Sequence, residues 1–277
     1  MEKLLLIDGS NLLFQMFFGM PARIVNHRGK PIQGTLGFVG ALLKIIRMIQ
    51  PSHVAVLFDG ECGSPRRELD EAYKANRPDW EEETETPFDQ LPDIYDALDA
   101  LGIAHRETES CEADDWIAGY ALTWEGETVI SSFDSDFFQL ISERVQILRY
   151  RGEKTVLCGR EWLWEKYGIE ASQYAAFKSL TGDTADNIRG IPGIGQKNAA
   201  ALLRQFGNLE TLLEQAQFIE RAAIREAVLQ NRDRLRLNHL LICLQAGETL
   251  PFTKAEMAWQ DPGYSTTQVL KITGLRI

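Results

Sequence analysis

Nine carboxylates stand at the ends of apolar runs in this chain: Asp8, Asp59, Glu112, Asp114, Asp115, Asp134, Asp136, Asp183 and Asp186. Gathered in one place, they would repel one another and hold protons near neutral pH unless a cation sat among them. A divalent metal suits them, because hard cations such as Mg²⁺ take oxygen ligands. Just beyond Asp186 comes a glycine string, Gly190-Ile-Pro-Gly-Ile-Gly195, leading into a helical pattern that carries Lys197. Small residues let a backbone approach a phosphate, and N–H groups at a helix start point towards it. Metal ligands beside a phosphate grip describe a nuclease.

The elements that must position these residues alternate in the first half of the chain. Leu4 to Ile7, Val54 to Phe58 and Thr128 to Ser131 read as strands, ending at or running towards Asp8, Asp59 and Asp134. Helical spacing marks Gly37 to Ile49, Leu91 to Leu101 and Ala113 to Trp124. That alternation predicts an α/β fold, a mainly parallel central sheet flanked by helices. In such sheets the functional crevice lies beyond the carboxyl ends of the strands, where these three aspartates would converge. From Trp162 the pattern turns helical, through Tyr174 to Leu180, Lys197 to Phe206 and Leu209 to Gln215, then an arginine-rich stretch from Ile219 to Leu244. A core over residues 1–170 and a helical helix-hairpin-helix region over 171–277 are expected. Residues 60–88 form a polar insertion longer than an ordinary connection, which points to a functional lid or a disordered segment.

Each acidic pair also has a bland explanation. Acidic residues favour the first turn of a helix, which covers Glu112 in Glu112-Ala-Asp-Asp115 but not both aspartates. Asx-turn chemistry covers Asp134-Ser-Asp136, and helix capping covers Asp183 and Asp186. Five separate groups at element ends are harder to dismiss together. Two divalent ions close together are a recurring solution to phosphodiester hydrolysis. His27, His53, His105 and His239 lack ligand spacing. The glycine string is not a P-loop, since Gln196 intervenes before Lys197 and no Ser or Thr follows.

Composition sets outer bounds. With 277 residues and 44% hydrophobic content the chain can bury a large core, and no apolar run is long enough to span a bilayer. Four cysteines (Cys62, Cys111, Cys158, Cys243) without CxxC spacing indicate neither a zinc site nor a disulfide framework, and a cytoplasmic setting fits. The net charge of −11 counts weakly against nucleic acid, because the proposed ligands carry much of it. A further acidic block, Asp79, Glu81, Glu82, Glu83, Glu85 and Asp89, reads as a solvated surface segment. Basic residues gather as Arg66, Arg67, Lys74 and Arg77, as Lys178, Arg189, Lys197 and Arg204, and along Arg221 to Arg236.

In order and spacing, Leu5-Leu-Ile-Asp-Gly-Ser-Asn11, Phe58-Asp-Gly60, Glu112-Ala-Asp-Asp115, Asp134-Ser-Asp136, Gly182-Asp-Thr-Ala-Asp-Asn-Ile188 and the glycine string resemble one family. It is the 5′-nuclease family, comprising flap endonucleases and the 5′→3′ exonuclease domain of bacterial DNA polymerase I. The resemblance implies a PIN-like metal-dependent core that cuts DNA at the junction of a 5′ single strand and a duplex, in primer removal and repair. It implies two Mg²⁺ ions, replaceable by Mn²⁺: the first held by Asp8, Asp59 and Asp114, the second by Asp114, Asp134 and Asp136. Glu112, Asp115, Asp183 and Asp186 would act directly or through water. It also implies K⁺ at the hairpin, with Gly190, Gly193, Gly195 and Lys197 on DNA.

Under the same resemblance the insertion is the arch that passes the 5′ strand. Arg66, Tyr73, Lys74 and Arg77 would then contact DNA, with Lys74 and Arg77 at the scissile phosphate and Tyr73 stacked on a base. Pro65 and Asp70 depart from the aromatic residues usual in the arch. Branched or nicked DNA, including RNA-primed ends, is the implied partner, with a DNA polymerase alongside, for a free-standing monomer. Three other readings compete. A PIN-like ribonuclease would not need residues 170–245, a pure junction binder would gain nothing from acids facing phosphate, and an aspartyl phosphatase would not open with Asp8-Gly-Ser10.

Overall fold

The computed structural model describes residues 2–20, 22–60, 65–77, 85–247 and 249–275. Cys62 and the acidic residues Asp79, Glu81, Glu82 and Glu83 lie outside the described residues. The chain begins with β1 (Lys3–Asp8), α1 (Gly9–Gly19), α2 (Gln33–Ile49) and β2 (His53–Phe58). Then come α3 (Pro65–Leu69), α4 (Leu91–Ala100), β3 (Ala104–Glu107), α5 (Ala113–Thr123) and β4 (Glu127–Ser131). A hairpin of β5 (Val145–Arg149) and β6 (Val156–Cys158) completes a six-stranded sheet in the order β3-β2-β1-β4-β5-β6, parallel except for β6.

The central strand shows why this sheet forms. Leu4, Leu5, Leu6 and Ile7 are all buried, as a strand covered on both faces requires. Leu4 and Leu6 face α5, while Leu5 and Ile7 face α1, α2 and α4. From β1 the chain builds outwards to β2 and β3, then crosses to the other side for β4. The β1/β4 seam is therefore a topological switch point, and Asp8 ends one of its two strands. β3, β5, β6 and α1 exceed the sequence expectation: β3 carries His105 and Arg106, which mask its alternation, and α1 begins directly after β1 with the loop-like residues Gly9-Ser-Asn11 as its first turn.

The helical region consists of α6 (Arg160–Tyr167), α7 (Tyr174–Thr181), α8 (Gln196–Phe206), α9 (Leu209–Glu214), α10 (Ala222–Gln230) and α11 (Arg232–Ile242). A two-stranded ribbon, β7 (Gly182–Asp183) with β8 (Ile188–Arg189), joins α7 to the glycine turn before α8. One hydrophobic core runs from Leu6, Ile117 and Phe137 under the sheet to Leu180, Leu203 and Leu212 among the helices. Within residues 219–244, α10 and α11 meet at Asn231.

The C-terminal segment, with α12 (Lys254–Met257) and α13 (Thr266–Ile272), returns to the sheet. The Trp259 amide donates to the Ser52 carbonyl, and Val269 enters the core beside α2 and α4. Cys158 and Cys243 are free thiols, and among the described residues no helix is long and apolar enough to cross a membrane.

Gly190 is required by close approach, because a Cβ there would lie 2.3 Å from the Thr181 carbonyl group. Gly193 sits at φ +83°, in the left-handed region that favours glycine. Gly190→Ala should destabilise the protein by about 1–3 kcal/mol, since the clash is with backbone and cannot be relieved by a rotamer change. Thermal unfolding monitored by circular dichroism checks this; an unchanged Tm would mean that the ribbon can open without cost.

Candidate metal centre and nucleic-acid interface

The carboxylates are set by the strand ends and by short local hydrogen bonds. Asp8 caps α1, its Oδ1 accepting from the Asn11 amide at 3.0 Å, and its Oδ2 accepts from Ser132 Oγ at 2.7 Å. Ser132 Oγ in turn accepts from the Asp134 amide, and Asp134 Oδ1 from the Asp136 amide at 2.8 Å. Asp59 Oδ1 accepts from the Ala113 amide at 2.9 Å, so β2 caps the helix that carries Asp114. The Asp59 amide donates to Ser10 Oγ, which ties β2 to α1. Ser10, Asn11 and Ser132 thus hold the site, although sequence reasoning singled out none of them; short hydroxyl and amide side chains beside the acidic motifs were the available signal.

Four of the expected ligands, Asp8, Asp59, Asp114 and Asp134, line one cleft of about 660 Å³, together with Lys74, Arg77, Phe14, Phe18 and Phe88. Asp136, Asp183 and Asp186 form a second group, each offering an oxygen within 4.8 Å of the others. The structure therefore gathers Asp136 with Asp183 and Asp186, whereas the resemblance sets it beside Asp114 and Asp134. Nor do Asp183 and Asp186 cap a helix; Asp183 ends β7 and Asp186 lies in the turn of the β7-β8 ribbon.

Lys178, outside the expected site, reaches this second group from α7. Its Nζ donates to Asp136 Oδ1 at 2.7 Å, to Asp183 and to Ser135 Oγ. Burial opposes the lysine's charge, but Asp136 and Asp183 outweigh it and hold Lys178 protonated well above its ordinary range.

Burial is the main influence on the acids. With Asp59 and Asp134 nearby, it pushes the Asp8 carboxyl up to about 7, against hydrogen bonds from Asn11 and Ser132. Asp114 rises well above the usual carboxylate range through burial and the charges of Asp134, Asp8 and Asp59. Burial also pushes Asp136 up to about 7, although Lys178 pulls it down. Acids in this state are short of positive charge. A hard divalent cation with oxygen ligands is the group that the cleft residues fit.

Two residues that the resemblance places on DNA are buried instead. Arg66 donates to both oxygens of Asp115, at 2.7 and 3.0 Å, to Glu112 Oε2 at 3.0 Å and to the Cys243 carbonyl at 3.1 Å. Its guanidinium is an internal counter-charge, and a DNA contact for Arg66 is corrected to that role. Asp115, which also accepts from the Gln245 amide, anchors Arg66 and does not line the cleft. Tyr73 is only 3% exposed, its hydroxyl lying 3.3 Å from both Glu112 Oε2 and Asp186 Oδ2, so its ring is not available for stacking on a base.

Lys74 and Arg77 do reach the cleft. Lys74 Nζ donates to Glu112 Oε2 at 2.9 Å and Arg77 to Asp186 Oδ1 at 3.3 Å. Lys74 takes a left-handed backbone, φ +55°, and its amide donates to the Asp186 carbonyl. Asp70, the unusual residue of the insertion, accepts from Arg234 Nη1 at 2.8 Å and so fastens the insertion to α11. At the glycine turn, Gly193, Gly195 and Lys197 are exposed. A Cβ at Gly195 would touch nothing within 4 Å, so the protein itself does not demand glycine there.

Carboxylates at the switch point of a parallel sheet, facing a cationic insertion and a helix-hairpin-helix, define a metal-dependent nuclease. The family model "5'-3' exonuclease, N-terminal resolvase-like domain" matches residues 3–168, and "5'-3' exonuclease, C-terminal SAM fold" matches residues 169–265. The chain belongs to the 5′-3′ exonuclease family. It is similar to the thermostable DNA polymerase I of Thermus thermophilus, 38% identical over 242 residues, covering 85% of this chain and 28% of that protein. DNA polymerase I of Rhizobium leguminosarum is 37% identical over 254 residues, covering 88% of this chain and 24% of the relative. The chain thus spans under a third of the length of these relatives. Its fold is shared by the bacteriophage T5 flap endonuclease, solved as a pseudo-enzyme–product complex with DNA and metal ions. That likeness has a TM-score of 0.72 at 21% identity and covers 99% of this chain and 100% of the other.

A carboxyl whose pKa is higher folded than unfolded binds more protons in the native state. Its contribution to stability is therefore full in acid and is lost as pH rises through the folded value. For Asp8 and Asp136 that window runs from 3.8 to about 7. Without divalent metal, Tm should fall across it. Added Mg²⁺ should raise Tm more above a pH of about 7 than near a pH of about 5, where ligand protons compete. Scanning calorimetry at several pH values checks this, and a metal-induced shift independent of pH would exclude these carboxylates as ligands.

Proposed function

We propose that this chain cuts DNA phosphodiester bonds at junctions between a 5′ single strand and a duplex, as a flap endonuclease and 5′→3′ exonuclease. The observation that carries this reading is the cleft itself, lined by Asp8, Asp59, Asp114 and Asp134 together with Lys74 and Arg77. Residues 1–170 act as the nuclease core with its insertion, and residues 171–277 as the duplex-holding region and tail.

In this reading Asp8, Asp59, Asp114 and Asp134 hold one divalent ion, and Asp136, Asp183 and Asp186 help to hold a second. Mg²⁺ is the ion we favour, with Mn²⁺ able to replace it. Such ions supply a nucleophile at neutral pH and offset the charge that develops on the phosphate. The remaining work falls to the chain's own residues. Ser132 and Asn11 fix the Asp8 carboxylate and the loop after β4. Lys74, held in its left-handed turn, and Arg77 present cations to the scissile phosphate. Glu112 orients Lys74, and Asp115 orients Arg66. Gly190, Gly193 and Gly195 give the duplex backbone close access to the start of α8, where Lys197 adds charge and K⁺ is the cation we assign. The protein works in the cytoplasm as a monomer beside a DNA polymerase, on branched, nicked and RNA-primed ends.

Cleavage of a 5′-flap duplex, compared with a blunt duplex and a single strand, in Mg²⁺ and in EDTA, tests the reading. Metal-dependent cutting near the flap junction is expected. Asp114→Ala should abolish cutting and retain junction binding, while loss of both would make the acidic cluster structural. Lys74→Ala should slow cutting by roughly 10²-fold or more, and it should also lower Tm, because buried Glu112 loses one of its cationic partners. Full turnover in that variant would remove the insertion from the chemistry.

A further inference from the structure

Asn76 in the insertion and Asn187 in the β7-β8 ribbon clasp each other's backbone segments. Asn76 Nδ2 donates to the Thr184 carbonyl at 3.0 Å, and Asn187 Nδ2 donates to the Ala72 carbonyl at 2.8 Å. Between them the Lys74 amide donates to the Asp186 carbonyl at 3.0 Å. The partners of the two asparagines lie 108 and 115 positions away in the chain, so the clasp is a product of the fold.

Lys74 and Asn187 both take a left-handed backbone, at φ +55° and +57°. Asparagine visits that region readily, so the turn at Asn187 needs no further cause. A lysine does not, and it stays there only where its surroundings over-determine it. The clasp does this, because its bonds on Ala72, Lys74 and Asn76 bracket the turn on both sides. From that turn Lys74 Nζ reaches Glu112 among the buried acids. A purely stabilising role fits poorly: Ala72, Asn76 and Thr184 are exposed, and hydrogen bonds made beside water contribute modestly to stability.

On the ribbon side the clasp leads directly to the glycine turn. Only β8 stands between Asn187 and Gly190. That strand is held on both sides, since Gly182 pairs with Arg189 and Asp183 with Ile188, and Asn238, buried in α11, donates to the Arg189 carbonyl at 2.9 Å. We infer that Asn76 and Asn187 are positioning residues which fix the distance between the duplex held at the glycine turn and the cation of Lys74, and so select the phosphate that is cut. The inference rests on the proposed nuclease reading. With the clasp closed, Lys74 meets the strand at one set distance from the held duplex. With it open, the turn at Lys74 relaxes and neighbouring phosphates become eligible, each in poorer alignment.

Asn76→Ala and Asn187→Gly each remove one amide donor, and glycine keeps the left-handed backbone available at 187. Single-turnover cutting of a 5′-flap duplex in Mg²⁺, the position of the cut and the affinity for the flap are read where circular dichroism shows each variant folded. Each substitution should slow cutting about tenfold, spread the cuts over adjacent phosphates and leave junction binding within about twofold. In a Lys74→Ala background the same substitutions should change the rate by less than about twofold, because they act through Lys74. Asn76 is exposed, so Asn76→Ala carries the test should Asn187→Gly fail to fold. Equal slowing in both backgrounds with the cut position kept would make the clasp merely structural and overturn the inference. Unchanged rate and position would overturn it too, and leave the nuclease reading standing. A wild-type chain that cuts no flap duplex in Mg²⁺ would sink the nuclease reading and this inference with it.

Discussion

The constraint that orders this structure is the mutual repulsion of acids buried at one edge of a parallel sheet. Asp8, Glu112, Asp115, Asp136 and Asp186 are each less than a tenth exposed. A buried, unpaired carboxylate is costly enough that such groups take up protons or find partners. Here partners come from outside the sheet: Arg66, Lys74 and Arg77 from the insertion after β2, and Lys178 from α7. Glu112 accepts from Arg66 and Lys74 and Asp115 from Arg66, whereas burial raises Asp8 and Asp114 with little cationic relief. The unmet demand for positive charge is thus focused on the cleft, where a metal ion can enter from solvent.

The same arrangement binds distant parts of the chain together. Arg66 reaches the Cys243 carbonyl, Asp70 holds Arg234, and Asn187 Nδ2 donates to the Ala72 carbonyl at 2.8 Å. The base of the insertion is consequently clamped between the core and the loop that leads to the glycine turn. Asp186 has a part in both functions, since its carboxylate belongs to the second acidic group and its carbonyl fixes Lys74. A shift of the turn would move Lys74 relative to the cleft. This gives the helical region a mechanical route to the active site through one residue.

Much of this was legible in the sequence, for identifiable reasons. Leu4 to Ile7 and Val54 to Phe58 are unbroken apolar runs, and strands buried on both faces leave that trace. Their terminal aspartates could then be placed by the general behaviour of parallel sheets. Gly190 stood out as part of a glycine string, whereas its clash with the Thr181 carbonyl group emerges only from the fold. What stayed hidden depended on side-chain direction. Arg66 and Tyr73 have the composition of a DNA contact, yet three-dimensional pairing with Glu112 and Asp115 turns Arg66 inwards. Lys178 sits within an ordinary helical pattern, and only the fold brings its ammonium to Asp136. β3 was obscured because an edge strand tolerates charged residues.

The pairing also answers the objection raised by a net charge of −11. Formal charge counts Glu112, Asp115 and Asp136 in full, but each lies against a buried cationic partner. A buried ion pair projects little field at the distance from which a duplex approaches, and salt screens what remains over roughly 10 Å. The surface that meets a phosphate first is better described by its exposed groups. Around the glycine turn these are Gly193 and Gly195, with no Cβ in the way, and Lys197 one helical position further on. In the proposed reading, acidity that would hold metal and basicity that would hold phosphate coexist because much of the first is paired inside the protein, while Lys197 at the glycine turn stands in solvent.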